Sequence, residues 1–440
     1  MKKINMKVKQ ITILFCTLMC VNVYAQVQDS VAYWKNGNKR SQGSYQNGVE
    51  VGAWTYYHTN GKKAMEGKYE NGRKTGLWKS WYESGALCTQ YYPQTGEFLS
   101  WYENGAKESA GYFKNYEKDS VWKFYYTNGQ LSKYCNYANG ELNGKCEEYY
   151  NDGKLSFKGN YKNGELEGRA DWWYTNGNKE MEGALIQGKQ EGLWNFYNEN
   201  GNLGSTGKFV NGEQDGKWTY YYETGEKWKE GNFIAGKREG TWTAWYEKGQ
   251  KQREGKFVND KQEGLWTSWY VNGKKQDEGF FCQGKMCNLW KGWYASGIMK
   301  YQTDFEKNLR NGKHIAYWQN GKLKEKGSYV KDEKQGKWSV YSEYGRLLNT
   351  GKFAVNKKTG KWKFYDEQGV LSREQSFTDD IPDGKWTQYF ANGKKHSTGA
   401  YSMLVKSGVW TYYDENGQII YSVEYTNGNI SRVIVDKRKK

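Results

Sequence analysis

Tryptophan returns in this chain every 24 residues, and that spacing constrains the fold more than any other feature. Trp122, Trp194, Trp218, Trp242, Trp266, Trp290, Trp338, Trp362, Trp386 and Trp410 stand on one ladder. Phe98, Cys146, Ala170 and His314 replace tryptophan on it, and Trp54 and Trp78 form an earlier pair at the same spacing. Only the interval from Trp78 to Phe98 is short, by four residues, which gives 16 ladder positions in all. Three residues after each position lies an aromatic residue, as at Tyr57, Trp81, Tyr125, Tyr221 and Trp269. Seven residues after each lies a glycine, from Gly61 to Gly417. A chain of this length would otherwise be expected to hold several globular domains, but a fixed period of this kind marks a repeat architecture.

The turns define what one unit is. Trp218 to Tyr222 is strand-forming, Glu223-Thr224-Gly225 is a turn, and Trp228 to Phe233 returns as the partner strand. Asn60-Gly61, Asn128-Gly129 and Asn176-Gly177 spell out the same turn with the pair that tight hairpins favour, since both residues tolerate positive φ. A second set, Asn47-Gly48, Asn71-Gly72, Asn139-Gly140, Asn163-Gly164 and Asn211-Gly212, joins each hairpin to the next. The 54 glycines and 2 prolines fit turns and would burden helices. The expected fold is all-β: an elongated, twisted or coiled antiparallel single-layer sheet or solenoid of tandem 24-residue hairpins.

An isolated hairpin is marginal in water, so each unit must bury its rings against its neighbours. The ladder residue and the aromatic three positions later have opposite parity and cannot share one face of a regular strand. A bulge, strong coiling, or aromatic rows on both faces would each resolve this.

The repeat array is expected to cover residues 33–428. Residues 1–25 read as a secretory signal, with a basic start at Lys2, Lys3, Lys7 and Lys9, an apolar Ile11 to Val23, and small Val23 and Ala25 before Gln26. Residues 26–32 read as a short linker and 429–440 as a basic tail ending in Lys437-Arg438-Lys439-Lys440. Without the signal, the net charge of +17 falls to +13, spread beside the turns. Such a surface attracts anionic lipid, envelope polysaccharide or acidic protein, while export argues against nucleic acid. Five cysteines remain. Cys135 with Cys146, and Cys282 with Cys287 across a turn, are the possible disulfides.

Gly192-Leu193-Trp194-Asn195-Phe196-Tyr197 followed by Asn200-Gly201, and Gly240-Thr241-Trp242 with Trp245-Tyr246 and Gly249, resemble the bacterial variant of the MORN repeat. MORN denotes the membrane-occupation-and-recognition-nexus family. The resemblance runs from Tyr33 to Asn427 and implies a hairpin-repeat fold. Through bacterial members it implies the antitoxin part of a toxin–antitoxin pair, and through eukaryotic relatives a scaffold or membrane-adjacent role. An export signal fits poorly with neutralising a cytoplasmic toxin. The chain departs from the family unit at Ser120 and Asn288, where the glycine two before the ladder residue is missing, and near Pro93, where the array is shortened. Local kinks or partner surfaces are expected there.

No residues stand out as catalytic, cofactor-binding or metal-binding, and no cofactor is expected. His58, His314 and His396 lie in separate units, and no phosphate loop, nucleophile elbow or metal motif occurs. The expected function is therefore a non-catalytic scaffold or binding protein of the periplasm, cell envelope or exterior that engages another protein. The alternatives are an adhesive module for carbohydrate or membrane surfaces and an antitoxin-like protein acting on an exported toxin. Ladder rings packed into the spine favour the scaffold, and open aromatic platforms favour carbohydrate.

Overall fold

The computed structural model describes residues 26–438, so the signal segment expected at 1–25 lies outside the described residues. The chain divides at Glu165/Leu166 into two compact units. In the first, the strands from Val27–Tyr33 to Leu155–Lys162 pair antiparallel, each with the next in sequence. In the second, the strands from Gly168–Trp173 to Asn429–Asp436 do the same. No helix occurs among the described residues. The all-β meander of tandem hairpins is the fold that the periodicity implies. Both flanking segments differ from expectation: Val27–Tyr33 pairs with Lys39–Gln46, and Asn429–Asp436 pairs with Ile419–Thr426, so each end adds a strand.

One cross-strand pair repeats through both units. Trp218 faces Gly207 on the preceding strand and Gly231 on the following one. Its ring lies so close over Gly207 that a Cβ there would overlap the indole. The same holds for Gly43 under Trp54, Gly183 under Trp194, Gly351 under Trp362 and Gly399 under Trp410. Glycine is required here because any side chain would occupy the volume that the ring fills.

Beside this pair the ladder is interrupted. Gly207 pairs with Trp218, but the next residue, Lys208, pairs with Asp215, so Gly216 and Lys217 bulge out. The indole Nε1–H of Trp218 donates to the Lys208 carbonyl at 3.0 Å. Every seated ladder tryptophan makes this bond to the residue ten before it, for example Trp122 to Tyr112 and Trp410 to Ala400, each at 3.0 Å. The bulge takes a left-handed residue, Gly216 at φ +67°. Ser120 at φ +60° and Asn288 at φ +57° hold that conformation without glycine, and their registers match the other units. The kinks expected at those two positions therefore do not form. The departure near Pro93 is a real change: the hairpin of Leu87–Tyr91 and Glu97–Trp101 has five-residue strands and no bulge.

The ladder rings form a buried row. Phe233, Trp242, Phe257, Trp266, Phe281 and Trp290 meet edge to face at 5.1 to 6.1 Å, each contact adding about 0.5–1.5 kcal/mol beyond burial. Cationic side chains roof this row, with Lys334 at 4.2 Å from the Trp338 ring and Arg253 at 4.6 Å from Trp266. Trp122 and Trp218 are only 1% exposed as a result.

The aromatics three positions later lie on the opposite face, which answers the parity question: each face carries its own aromatic row. There Tyr197 donates to Glu182 at 2.8 Å, and Lys227 lies 5.1 Å from the Trp245 ring. Glutamates of this face sit between cations. Glu182 accepts from Lys179 at 2.6 Å, Arg169 at 2.5 Å and Asn195 at 3.0 Å. Partial burial alone would raise its pKa, but Lys179, Asn195 and Tyr197 outweigh that and bring it from 4.5 to about 2.

Both edges are stapled. Tyr222 and Tyr246 donate to the carbonyls of Trp245 and Trp269, 23 residues on, at 2.8 and 2.9 Å. Asn200 reaches the Glu223 carbonyl at 2.8 Å while its own Oδ1 accepts from Asn202 N–H. This bridging role accounts for the asparagine of the first turn set. Only Gly61, and not Asn60, has positive φ, so that turn differs from the expected one, whereas Asn71-Gly72 and Asn211-Gly212 have both residues positive. At the other edge, Glu191 accepts from the Asn211 N–H at 2.9 Å.

Trp218→Phe leaves the Lys208 carbonyl without its donor and should lower local stability by about 1–3 kcal/mol, read as faster amide exchange across residues 203–221. Trp386, whose indole N–H is buried without an acceptor, should tolerate the same change at less than about 1 kcal/mol. For Glu182, a folded pKa depressed below 4.5 contributes stability that is complete above pH 5 and is lost as pH falls towards 2. Comparing Glu182→Gln with the native chain across that range should show a difference that vanishes near pH 2; titration of Glu182 near 4.5 would contradict the assignment.

Candidate functional site

Besides Phe98 and Ala170, which replace the ladder tryptophan, three cross-strand pairs depart from tryptophan over glycine. Cys135 and Cys146 stand in the glycine and ladder positions and form a disulfide, with Cα atoms 4.0 Å apart. Thr303 and His314 do likewise, the threonine Oγ1 lying 2.7 Å from His314 Nδ1. Gln375 replaces the glycine opposite Trp386, and there the tryptophan is only half-buried and lacks its carbonyl partner. The second possible disulfide, Cys282–Cys287, is also bonded and clasps the end of one hairpin. Cys88 is free and half-buried.

The three histidines are not brought together and each has a packing role. His58 Nε2 lies 2.8 Å from the Trp81 carbonyl, taking the edge position that tyrosine holds elsewhere. His314 stacks on Trp338 at 5.9 Å, and its Nε2 lies 3.5 Å from Glu325. His396 meets Phe390 edge to face at 4.7 Å. Among the described residues no group of acidic, histidine and cysteine side chains has the arrangement of a metal site.

What varies from unit to unit is the face bearing the ion pairs. One transverse row there is formed by the residue before each ladder position and its cross-strand partner. In the second unit this row reads Lys217 with Asn232, Thr241 with Lys256, then Leu265 with Phe280, and Leu289 with Asp304. Leu265, Phe280 and Leu289 are 48%, 41% and 38% exposed on three successive strands. They form an apolar cluster beside the Cys282–Cys287 clasp, where neighbouring units carry polar residues. The ladder and its glycines stand out in the sequence by their period, whereas this row does not, because the repeat fixes no residue type there. Aligning the units at the residue before each tryptophan would have exposed it.

The family model described as MORN repeat variant matches residues 50–71, 94–115, 118–139, 142–163, 214–235, 238–259, 310–331, 358–379, 382–402 and 406–427. No curated protein matches the chain. Among solved structures it is similar to the crystal structure of TcdB2-TccC3, at 9% identity over 93% of this chain and 31% of that one, with a TM-score of 0.13. It is also similar to the Tc holotoxin pore of Photorhabdus luminescens, at 8% identity over 90% of this chain and 24% of that one, with a TM-score of 0.15. The chain thus spans under a third of the length of these proteins, and at such TM-scores the likeness carries no functional argument. With ten matched repeats spread between residues 50 and 427, each falling on the hairpin units described above, the chain belongs to the MORN repeat variant family.

Proposed function

We propose that this repeat protein is a non-catalytic scaffold of the cell envelope or exterior that binds another protein through the ion-pair face of its second unit. The observation that carries this reading is the exposed cluster of Leu265, Phe280 and Leu289. Interface cores are built from such apolar and aromatic groups, with charged residues at the rim. Here Lys275–Glu278 and Lys251–Glu254 ion pairs flank the cluster on the same face.

Burial of the ladder rings supports a scaffold over an adhesive built from aromatic platforms. Trp194, Trp218, Trp338 and Trp362 are at most 2% exposed, so their faces are committed to glycine, phenylalanine and cationic neighbours. The absence of catalysis is part of the same proposal, supported by the packing roles of His58, His314 and His396. The antitoxin association of bacterial relatives has no observation of its own in this chain. Export rests on the character of residues 1–25.

The test is affinity capture from envelope and secreted fractions with the chain from residue 26 onward, alongside Phe280→Asp and, as a control, Leu193→Asp. Leu193 is itself 65% exposed but pairs across the strand with Lys208 rather than another apolar residue. One protein in stoichiometric amount, retained by Leu193→Asp and lost with Phe280→Asp, is the expected result. Enrichment of polysaccharide or lipid with no such protein would sink the proposal.

A further inference from the structure

On the ion-pair face, a second transverse row alternates hydroxyl and carboxylate through the middle of the second unit. Thr219 faces Glu230, Thr243 faces Glu254, and Thr267 faces Glu278. Each glutamate is held by lysine: Glu230 by Lys217 and Lys227, Glu254 by Lys251, Glu278 by Lys275. Further along, the carboxylates disappear. The position equivalent to Glu230 is Lys326 in one unit and Thr350 in the next, and glutamate returns only at Glu374, where it binds Lys361 and Lys363.

The lysines that a glutamate would neutralise remain. Lys337 and Lys352 face each other directly across two strands, an unfavourable pairing of like charges. Lys313, Lys326, Lys337 and Lys352 are exposed, and none forms an ion pair among the described residues. They border a groove of about 890 Å³ that also includes Lys361 and Lys363, a size usual for ligand clefts. Its floor is polar: Ser339 and Thr350 lie 2.9 Å apart at their hydroxyl oxygens. Its walls include Tyr341, Tyr365 and Leu347. Lys326 lies 5.9 Å from the Tyr341 ring.

We propose that this groove binds a linear acidic polysaccharide, with lysines pairing to its carboxylates and the tyrosine rings flanking its sugars. Four features select this occupant. The excess charge is positive and uncompensated, so the ligand is anionic. The cations are all lysine, which acts as a point charge, with no arginine fork for bidentate recognition of a single phosphate. Lys337 and Lys352 stand directly opposite on adjacent strands about 4.8 Å apart, close to the advance of one pyranose unit, with Lys326 in the next transverse row, opposite Ser339, whereas carboxylates on one side of an extended acidic peptide recur at about 6.8 Å. The hydroxyl floor and ring walls suit sugar hydroxyls and the apolar faces of pyranose rings. This site is separate from the Phe280 cluster, so its failure would leave the protein-scaffold reading standing.

The test is calorimetric titration of the chain from residue 26 onward with a polygalacturonate oligomer, over a range of salt concentrations. The comparison ligands are its methyl-esterified form, polyglutamate and phosphatidylglycerol vesicles. The native protein is expected to bind the free-acid oligomer, and the ester not to bind. Lys326→Gln/Lys337→Gln/Lys352→Gln is expected to weaken binding at least tenfold and to flatten the salt dependence by roughly one unit of slope per lysine removed. Lys326→Glu/Thr350→Glu restores the carboxylate that other units carry, so it should fold like them and also abolish binding. Lys217→Gln/Lys227→Gln should leave affinity unchanged. No binding of the oligomer at low salt, binding indifferent to both groove variants, or tighter lysine-dependent binding of polyglutamate or vesicles would each overturn the proposal.

Discussion

An indole ring lying on a bare glycine is the contact on which the rest of this structure depends. It brings two strands together face to ring, frees one carbonyl by means of a bulge, and returns that carbonyl to the indole N–H. Steric fit and hydrogen bonding therefore select the same geometry. The exceptions show the coupling. Where cysteine takes the glycine position, cysteine also takes the ladder position and a disulfide replaces the stack; where threonine does, histidine meets it. Gln375 enters without a compensating change, and Trp386 is left half-buried with its donor unused.

Cohesion in such an array is a nearest-neighbour property. Each hairpin touches the one before it through the glycine contact and the one after it through phenylalanine, while tyrosine, asparagine and glutamate staples at 20 to 23 residues fix the edges. The roofed aromatic face and the edges repeat the same contacts from unit to unit, whereas the ion-pair face, though it carries local pairs such as Lys179–Glu182, varies in residue type. Its rows change from polar to apolar at Leu265–Phe280 and from carboxylate to lysine at Lys326–Lys352 with no change in register type. A uniform framework can in this way present successive, chemically distinct surfaces.

The fold was legible because its determinants are strictly periodic: tryptophan at 24-residue intervals, glycine seven later, and asparagine–glycine turns between. Positions with two physical solutions were not. Ser120 and Asn288 looked like breaks, yet serine and asparagine also enter the left-handed region that the bulge needs. Asn60-Gly61 and Asn71-Gly72 look alike in sequence, but the first asparagine serves as a bridge between hairpins and the second as a left-handed turn residue. Residues 26–32 and 429–440 lack the ladder and so read as linker and tail, although backbone pairing adds most of each as a strand. The candidate surfaces were hidden for a related reason. They consist of positions where the repeat does not specify a residue, and they emerge only once the register places Leu265 beside Phe280 and Lys337 beside Lys352.

The most direct measurement is amide hydrogen exchange on Gly207→Ala, which adds a single methyl group under the Trp218 ring. If the ring must rest on bare glycine, the strands Leu203–Val210 and Glu213–Tyr221 will lose protection together, with the strand Lys227–Ile234 following through Phe233, while distant hairpins keep theirs. Unchanged protection across residues 203–234 would contradict the account, because the array would then be held by its backbone ladder and edge staples alone.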